Sequence, residues 1–195
     1  LEIRGAGDIL GAKQHGVIHV VGVSHFIRML NKAVDDLKVG KVMRQEEPED
    51  VSIELPLTAY IPDSYVVSSK DKINAYQKLS AADTIEYLTE IKEDLLEEYG
   101  KMPKEVINLF RMLELKILAK KAHLVSVKAE SVAGSKGKEL ALHMSGLVKP
   151  ENIMNLLEYS SKWYISGTRL RVKIEDMGLH WFDGLRESVK RLAGK

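Results

Sequence analysis

The sequence contains no cysteine, few prolines and few aromatic residues, and no excess of charge of either sign. Without cysteine the chain forms no disulfide, thiolate metal site or cysteine nucleophile. Because 29 Lys and Arg residues stand against 28 Asp and Glu residues, bulk charge favours no class of partner. No apolar run approaches the roughly 20 residues of a membrane span, and the first residues lack the apolar core of a signal peptide. These features predict a cytoplasmic protein with no membrane partner.

The organisation of the chain follows from a change of composition near its first quarter. Apolar residues make up 45% of the total, which is enough to bury a substantial core. The stretch over 45–50 is charged, includes Pro48 and has little to bury. We therefore predict a loop and connecting helix over 1–44, a linker over 45–50 and a compact domain over 51–195. We interpret the chain as part of a longer protein.

Hydrophobic periodicity predicts both helices and strands in the domain over 51–195. Apolar and polar residues alternate over 51–57, which indicates a strand that Pro56 confines to an edge or an end. Further strands are predicted over 124–129, 139–144, 163–165 and 170–174, and helices over 71–79, 83–99, 104–122, 150–159 and 180–192. Because helices and strands fall in separate clusters, the fold class is α+β. The expected domain has a small, mostly antiparallel sheet and about five helices.

Two glycine-rich stretches resemble nucleotide-binding loops in composition but lack their context. The first, Gly5-Ala-Gly7 and the residues after it, has no helix directly following it and no acidic residue about twenty positions later. The second, over 134–138, lacks the spacing of a Walker loop. The six histidines are scattered, and none has a carboxylate at zinc-protease spacing. We therefore predict no catalytic residue, metal or cofactor in this chain, and a dinucleotide-dependent oxidoreductase remains the least favoured alternative.

The helix predicted over 83–99 separates its charges from its apolar residues. Five acidic residues lie opposite its apolar stripe: Glu86, Glu90, Glu93, Asp94 and Glu97. Only Lys92 offsets them, so the helix carries an unbalanced acidic side. This side is either an ordinary solvated face or a docking site for a basic partner. In the second interpretation Asp94 and Glu97 present two carboxylates to an arginine pair.

Basic residues gather later in the chain and raise the alternative of a freestanding nucleic-acid-binding module. The residues concerned are Lys116, Lys120, Lys121, Arg169, Arg171 and Lys173. They lack the interleaved aromatic residues of a single-strand binding platform. A solvated basic surface is therefore the favoured interpretation.

The opening stretch LEIRGAGDILGAKQHG resembles the end of the translocation motif shared by transcription-repair coupling factors and the RecG helicases. In that motif an arginine and a glutamine, here Arg4 and Gln14, are held on a glycine-rich loop. All four glycines of the pattern are present: Gly5, Gly7, Gly11 and Gly16.

Three later stretches are similar to the C-terminal domain of the coupling factors, where RecG offers no match. They are IELPLTAYIPD over 53–63, KINAYQKL over 72–79 and EIKEDLLEEYG over 90–100. Together with the opening stretch they extend the resemblance over most of the chain, although it weakens after about residue 128.

The resemblance implies that the chain is the non-catalytic C-terminal part of an ATP-driven translocase on double-stranded DNA. The motor with its ATP and Mg would lie in the parent protein, which displaces stalled RNA polymerase and recruits UvrA. Arg4 and Gln14 would help couple ATP hydrolysis to translocation. The C-terminal domain would dock on a UvrB-like module of the same protein and so inhibit UvrA binding and motor activity. Asp94 and Glu97 match the family's docking helix, and Glu90 and Glu93 extend that surface.

Overall fold

The computed structural model describes residues 50–131 and 137–194 of the chain. Within these residues it contains six helices and five strands. In chain order they are β1 (Ser52–Glu54), α1 (Ser69–Ala81), α2 (Ile85–Tyr99), α3 (Lys104–Lys121), β2 (Leu124–Ser131), β3 (Lys138–Met144), α4 (Pro150–Tyr159), β4 (Tyr164–Ser166), β5 (Arg169–Lys173), α5 (Ile174–Met177) and α6 (Trp181–Leu192).

The strands form one sheet in the order β1-β2-β3-β5-β4. β1 pairs with β2 in parallel, and the other three pairings are antiparallel. The register places Val127, Leu142 and Leu170 side by side, and all three are buried. Because side chains alternate between the two faces of a sheet, the neighbouring polar residues share the opposite face. The predicted α+β class with a mostly antiparallel sheet is thus confirmed.

Helix α3 is the centre of the domain. It packs against α2, α6, β1 and β2, and ten of its 18 residues are buried. Leu109 and Leu115 on this helix are fully inaccessible to solvent. A helix that is apolar on most of its circumference requires neighbours on several sides, which the sheet and the flanking helices provide.

Local details differ from the sequence prediction at three places. β1 is shorter than the predicted strand over 51–57, because the chain turns where the Leu57 N–H bonds the Leu55 carbonyl at 2.8 Å. The helix predicted from residue 83 begins at Ile85, because the Thr84 hydroxyl caps α2 by accepting from the Tyr87 N–H at 3.2 Å. The short helix α5 begins at Ile174, where the last strand was expected to continue.

The second residue after α3, which follows the cap residue Ala122, is held in a left-handed conformation. His123 has φ 55°, and its N–H donates to the Lys120 carbonyl at 3.1 Å. Glycine is the preferred residue at this position of a helix end. We expect His123→Gly to raise the free energy of unfolding by about 0.5 kcal/mol and His123→Val to lower it by about 1–2 kcal/mol. Urea denaturation of the unchanged chain and the two variants measures this order of stability. Equal stability of the glycine and valine variants would contradict it.

Candidate docking surface

Helix α2 lies on the domain with one apolar side buried and its opposite side open to solvent. Leu88, Ile91 and Leu95 are buried, and the helix packs against α1 and α3. These three residues recur at the three- and four-residue intervals that bring side chains onto one helix face. The predicted amphipathic helix and its orientation are confirmed.

The carboxyl end of α2 is fixed by two tyrosines. The Tyr65 hydroxyl donates to the carbonyl oxygens of Leu95 at 2.9 Å and Gly100 at 3.1 Å. The Tyr65 and Tyr99 rings are 5.7 Å apart. Burial raises the pKa of Tyr65, and a hydrogen bond to the Glu98 carboxylate raises the pKa of Tyr99 to about 12. Both hydroxyls are therefore neutral near pH 7, and the Tyr65 hydroxyl links the segment before α1 to the last turn of α2 and to Gly100.

Gly100 ends α2 in a backbone conformation that essentially only glycine adopts, with φ 76° and ψ −151°. A Cβ atom there would meet nothing within 4 Å, so a substitution acts through backbone strain alone. We expect Gly100→Ala to lower the free energy of unfolding by about 1–3 kcal/mol.

Gly146→Ala is the matched control for Gly100→Ala. A Cβ atom on Gly146 also meets nothing within 4 Å, and its φ lies outside the left-handed region. Its effect on the midpoint of urea denaturation is expected to be small. Similar losses in the two variants would show that strain at Gly100 is not the cause.

Four glutamates form a line along the solvent side of α2, which we call the acidic crest. Its members are Glu86, Glu90, Glu93 and Glu97, and all four are exposed. Their spacing of three or four residues places consecutive carboxylates next to each other. Within residues 50–131 and 137–194, no crest carboxylate has a basic side chain within 4.0 Å. The crest is therefore a row of like charges without an internal counter-ion in the described chain.

Asp94 lies beside the crest and already has a basic neighbour. It is rotated by about 60° from Glu97 around the helix axis. Its carboxylate is 3.4 Å from the Nζ atom of Lys78 on α1. Asp94 and Glu97 are therefore neighbours on the exposed side of α2, and they differ in that only Asp94 has a basic side chain close by in the described chain.

Sequence reasoning did not single out two features of this surface. Leu96 and Tyr87 on α2 are exposed, at 51% and 38%, among the acidic residues. Leu96 lies outside the apolar stripe of the helical wheel, so its exposure could have been predicted from the sequence. Lys78 is a different case, because its approach to Asp94 depends on how α1 packs against α2.

Three of the six later basic residues engage carboxylates of the same domain. Arg169 and Arg171 reach Glu130 at 3.1 Å and 2.8 Å, and Arg171 also lies 3.4 Å from Glu139. Lys116 pairs with Asp50. A guanidinium already bonded to a carboxylate is less available to a phosphate, so this geometry gives little support to a nucleic-acid surface.

The other residues and kinds of site considered in the sequence analysis are the opening stretch, the glycine-rich loop over 134–138, metal sites and membrane spans. Arg4, Gln14 and the glycines of the opening stretch fall outside the described residues, as does most of the loop over 134–138. In the described chain no three His, Asp or Glu side chains form a group able to hold a metal ion. None of the helices placed there has the length and apolar character required to span a bilayer.

Comparisons with known proteins agree on one family. Residues 55–142, which include α1, α2 and α3, match the model of the TRCF domain. The whole chain is 34% identical to a transcription-repair-coupling factor of Staphylococcus haemolyticus, of which it spans 16%. A coupling factor of Borreliella burgdorferi is 37% identical over 68% of the chain and 12% of its own length.

A solved structure shares the fold. The chain resembles a crystal structure of the C-terminal domain of a transcription-repair coupling factor with a TM-score of 0.62. The match covers 73% of this chain and 91% of that structure at 18% identity.

Proposed function

Because this chain belongs to the family of transcription-repair coupling factors, we propose that it is the non-catalytic C-terminal part of an ATP-driven translocase on double-stranded DNA. The parent would displace stalled RNA polymerase in the cytoplasm and recruit UvrA, with ATP and Mg bound by motor lobes outside these 195 residues. The length relation supports this proposal, since the chain aligns from end to end with only 16% of its Staphylococcus haemolyticus relative.

We further propose that the domain docks through the acidic side of α2 on the UvrB-like module of the same protein. Docking would cover the surface that binds UvrA and would restrain the motor. The observation that carries this proposal is the acidic crest, a row of exposed carboxylates without a basic partner in the described chain. Glu90, Glu93 and Glu97 on the crest, with Asp94 beside it, would contact basic groups of the module.

Electrostatics favours a basic partner for this helix. Like charges spaced four residues apart destabilise a helix by a few tenths of a kcal/mol per pair. Glu97 also lies in the last turn of α2, where the helix dipole disfavours negative charge. A basic surface facing the crest would relieve both effects and would attract the domain over several ångströms before contact.

A titration of this chain with the separately expressed UvrB-like module tests the docking. Affinity is expected to fall steeply between low and high salt, because exposed charges are screened over about 10 Å at 0.1 M salt. Two modules joined by a short flexible linker that spans their sites reach effective concentrations on the order of a millimolar. Titration to that concentration is therefore sufficient, and an absence of binding there at low salt would overturn the proposal.

We also propose that Arg4 and Gln14 act in the translocation motif of the parent, on the loop that Gly5, Gly7, Gly11 and Gly16 allow. A guanidinium and an amide can report the position of neighbouring elements through hydrogen bonds. The test uses the full-length protein, in which Arg4→Ala and Gln14→Ala are expected to preserve ATP binding and impair movement along DNA. Unchanged translocation in both variants would contradict this role.

A further inference from the structure

The ion pair between α1 and α2 divides the docking surface into an open part and an occupied part. The crest carboxylates have no basic neighbour in the described chain, whereas Asp94 has Lys78 at 3.4 Å. Lys78 is in the last turn of α1, and that helix packs directly against α2. Any basic group that approaches Asp94 therefore meets a cation that belongs to the same domain.

The ion pair between Lys78 and Asp94 can separate at little cost in free energy. The two side chains are 56% and 63% exposed, and exposed ion pairs contribute little to stability. Lys78 also has a second favourable position, because a cation in the last turn of a helix interacts with the negative end of its dipole. Lys78 can therefore leave Asp94 without losing all electrostatic stabilisation.

We propose that Lys78 is a built-in competitor for Asp94 and so limits the affinity of the docking surface. This inference rests on the proposed docking function and adds a regulatory element to it. While Lys78 neutralises Asp94, the basic partner gains less from that carboxylate, and the domain is released more readily. A change that removes the charge of Lys78 strengthens docking.

The size of the effect follows from Coulomb's law. A unit charge about 6 Å from the docking cation in water changes the affinity by about threefold. The effect is expected to disappear at high salt, because both groups are exposed and screened. Removal of the cation is also expected to leave the melting temperature nearly unchanged.

The test is a double-mutant cycle on the whole chain, titrated with the UvrB-like module at low salt. Lys78→Gln is expected to lower Kd by about threefold in the wild-type background. A smaller effect is expected in the Asp94→Asn background, where Lys78 has no carboxylate to compete for and only its repulsion of the other basic groups of the partner is removed. Lys92→Gln is the matched control, since Lys92 is an exposed cation on α2 itself with no ion pair to Asp94 in the described chain.

Several outcomes would overturn the role of Lys78. Weaker or unchanged binding by Lys78→Gln would exclude competition. An effect that is undiminished with Asp94→Asn, or that Lys92→Gln reproduces in full, would assign the gain to net charge. Charge reversal of Glu90 and Glu97 separates the two proposals. If that reversal abolishes binding while Lys78→Gln is neutral, docking holds and only the inference about Lys78 fails. If the reversal has no effect, the docking function itself fails.

Discussion

The double reversal Asp94→Arg with Glu97→Arg is expected to weaken docking on the UvrB-like module at least a hundredfold at low salt. The change converts two attractions into two repulsions, and like charges facing each other across an interface cost several kcal/mol. The free energy of unfolding is expected to change by less than about 1 kcal/mol, because both residues are exposed and the single ion pair lost is weak. Titration at several salt concentrations and urea denaturation measure the two quantities separately.

Single reversals are expected to differ according to the position of each residue on α2. Glu97 has no counter-ion in the described chain, so Glu97→Arg removes a carboxylate that was fully available to the partner. Asp94→Arg removes a carboxylate already shared with Lys78, and the larger loss of affinity is therefore expected for Glu97. A larger loss for Asp94 would place the centre of the interface on the α1 side of the helix.

Glu151→Arg with Glu158→Arg is the control for the double reversal. It makes the same change of net charge with two exposed glutamates on α4. Affinity is expected to stay within about twofold of the wild type, since these residues lie on another helix. Equal losses in the two double variants would mean that total charge, and not the acidic side of α2, determines binding. A large loss of stability in the α2 variant would mean that its carboxylates are structural.

Leu109→Ala is expected to lower the free energy of unfolding by about 2–5 kcal/mol. Leu109 is fully buried on α3, the helix that contacts α2, α6, β1 and β2. Truncation removes apolar contacts on several sides and leaves a cavity that a helix fixed by four neighbours cannot easily fill. Urea denaturation followed by circular dichroism gives the change, provided that the slope with denaturant stays constant.

Ile107→Ala on the same helix is the control for Leu109→Ala. Ile107 is 43% exposed, so its truncation forms no closed cavity and is expected to cost less than about 1 kcal/mol. Both substitutions place an alanine on α3, and because alanine has the highest helix propensity, neither loss of stability would come from propensity. Equal losses would mean that α3 is not the centre of the core.

Much of the fold could be predicted because its signals are local. The stop of α2 at Gly100 follows from a backbone conformation that other residues avoid. Helix α4 occupies the predicted residues 150–159, with its proline at the first helical position. The exact start of α2 could not be predicted in the same way. Thr84 and Asp83 are both good capping residues, and only the path of the chain into α2 selects between them.

The division of the site into two parts could not be predicted from the helical wheel. Periodicity identifies Glu90, Glu93, Asp94 and Glu97 as solvent-facing, and the structure bears this out. A wheel contains no neighbouring helix, so it treats Asp94 and Glu97 as equivalent. The approach of Lys78, sixteen residues away, depends on the crossing of α1 and α2.

The sequence by itself determined that the domain is α+β and that one helix turns an acidic side to solvent, since both follow from the spacing of apolar and charged residues. Its resemblance also pointed to the family, which the comparisons confirm. Only the tertiary structure decided that β1 pairs in parallel with β2 and that Lys78 faces Asp94. Contacts of this kind join residues far apart in the chain, and they form because burial of the common core around α3 brings their elements together.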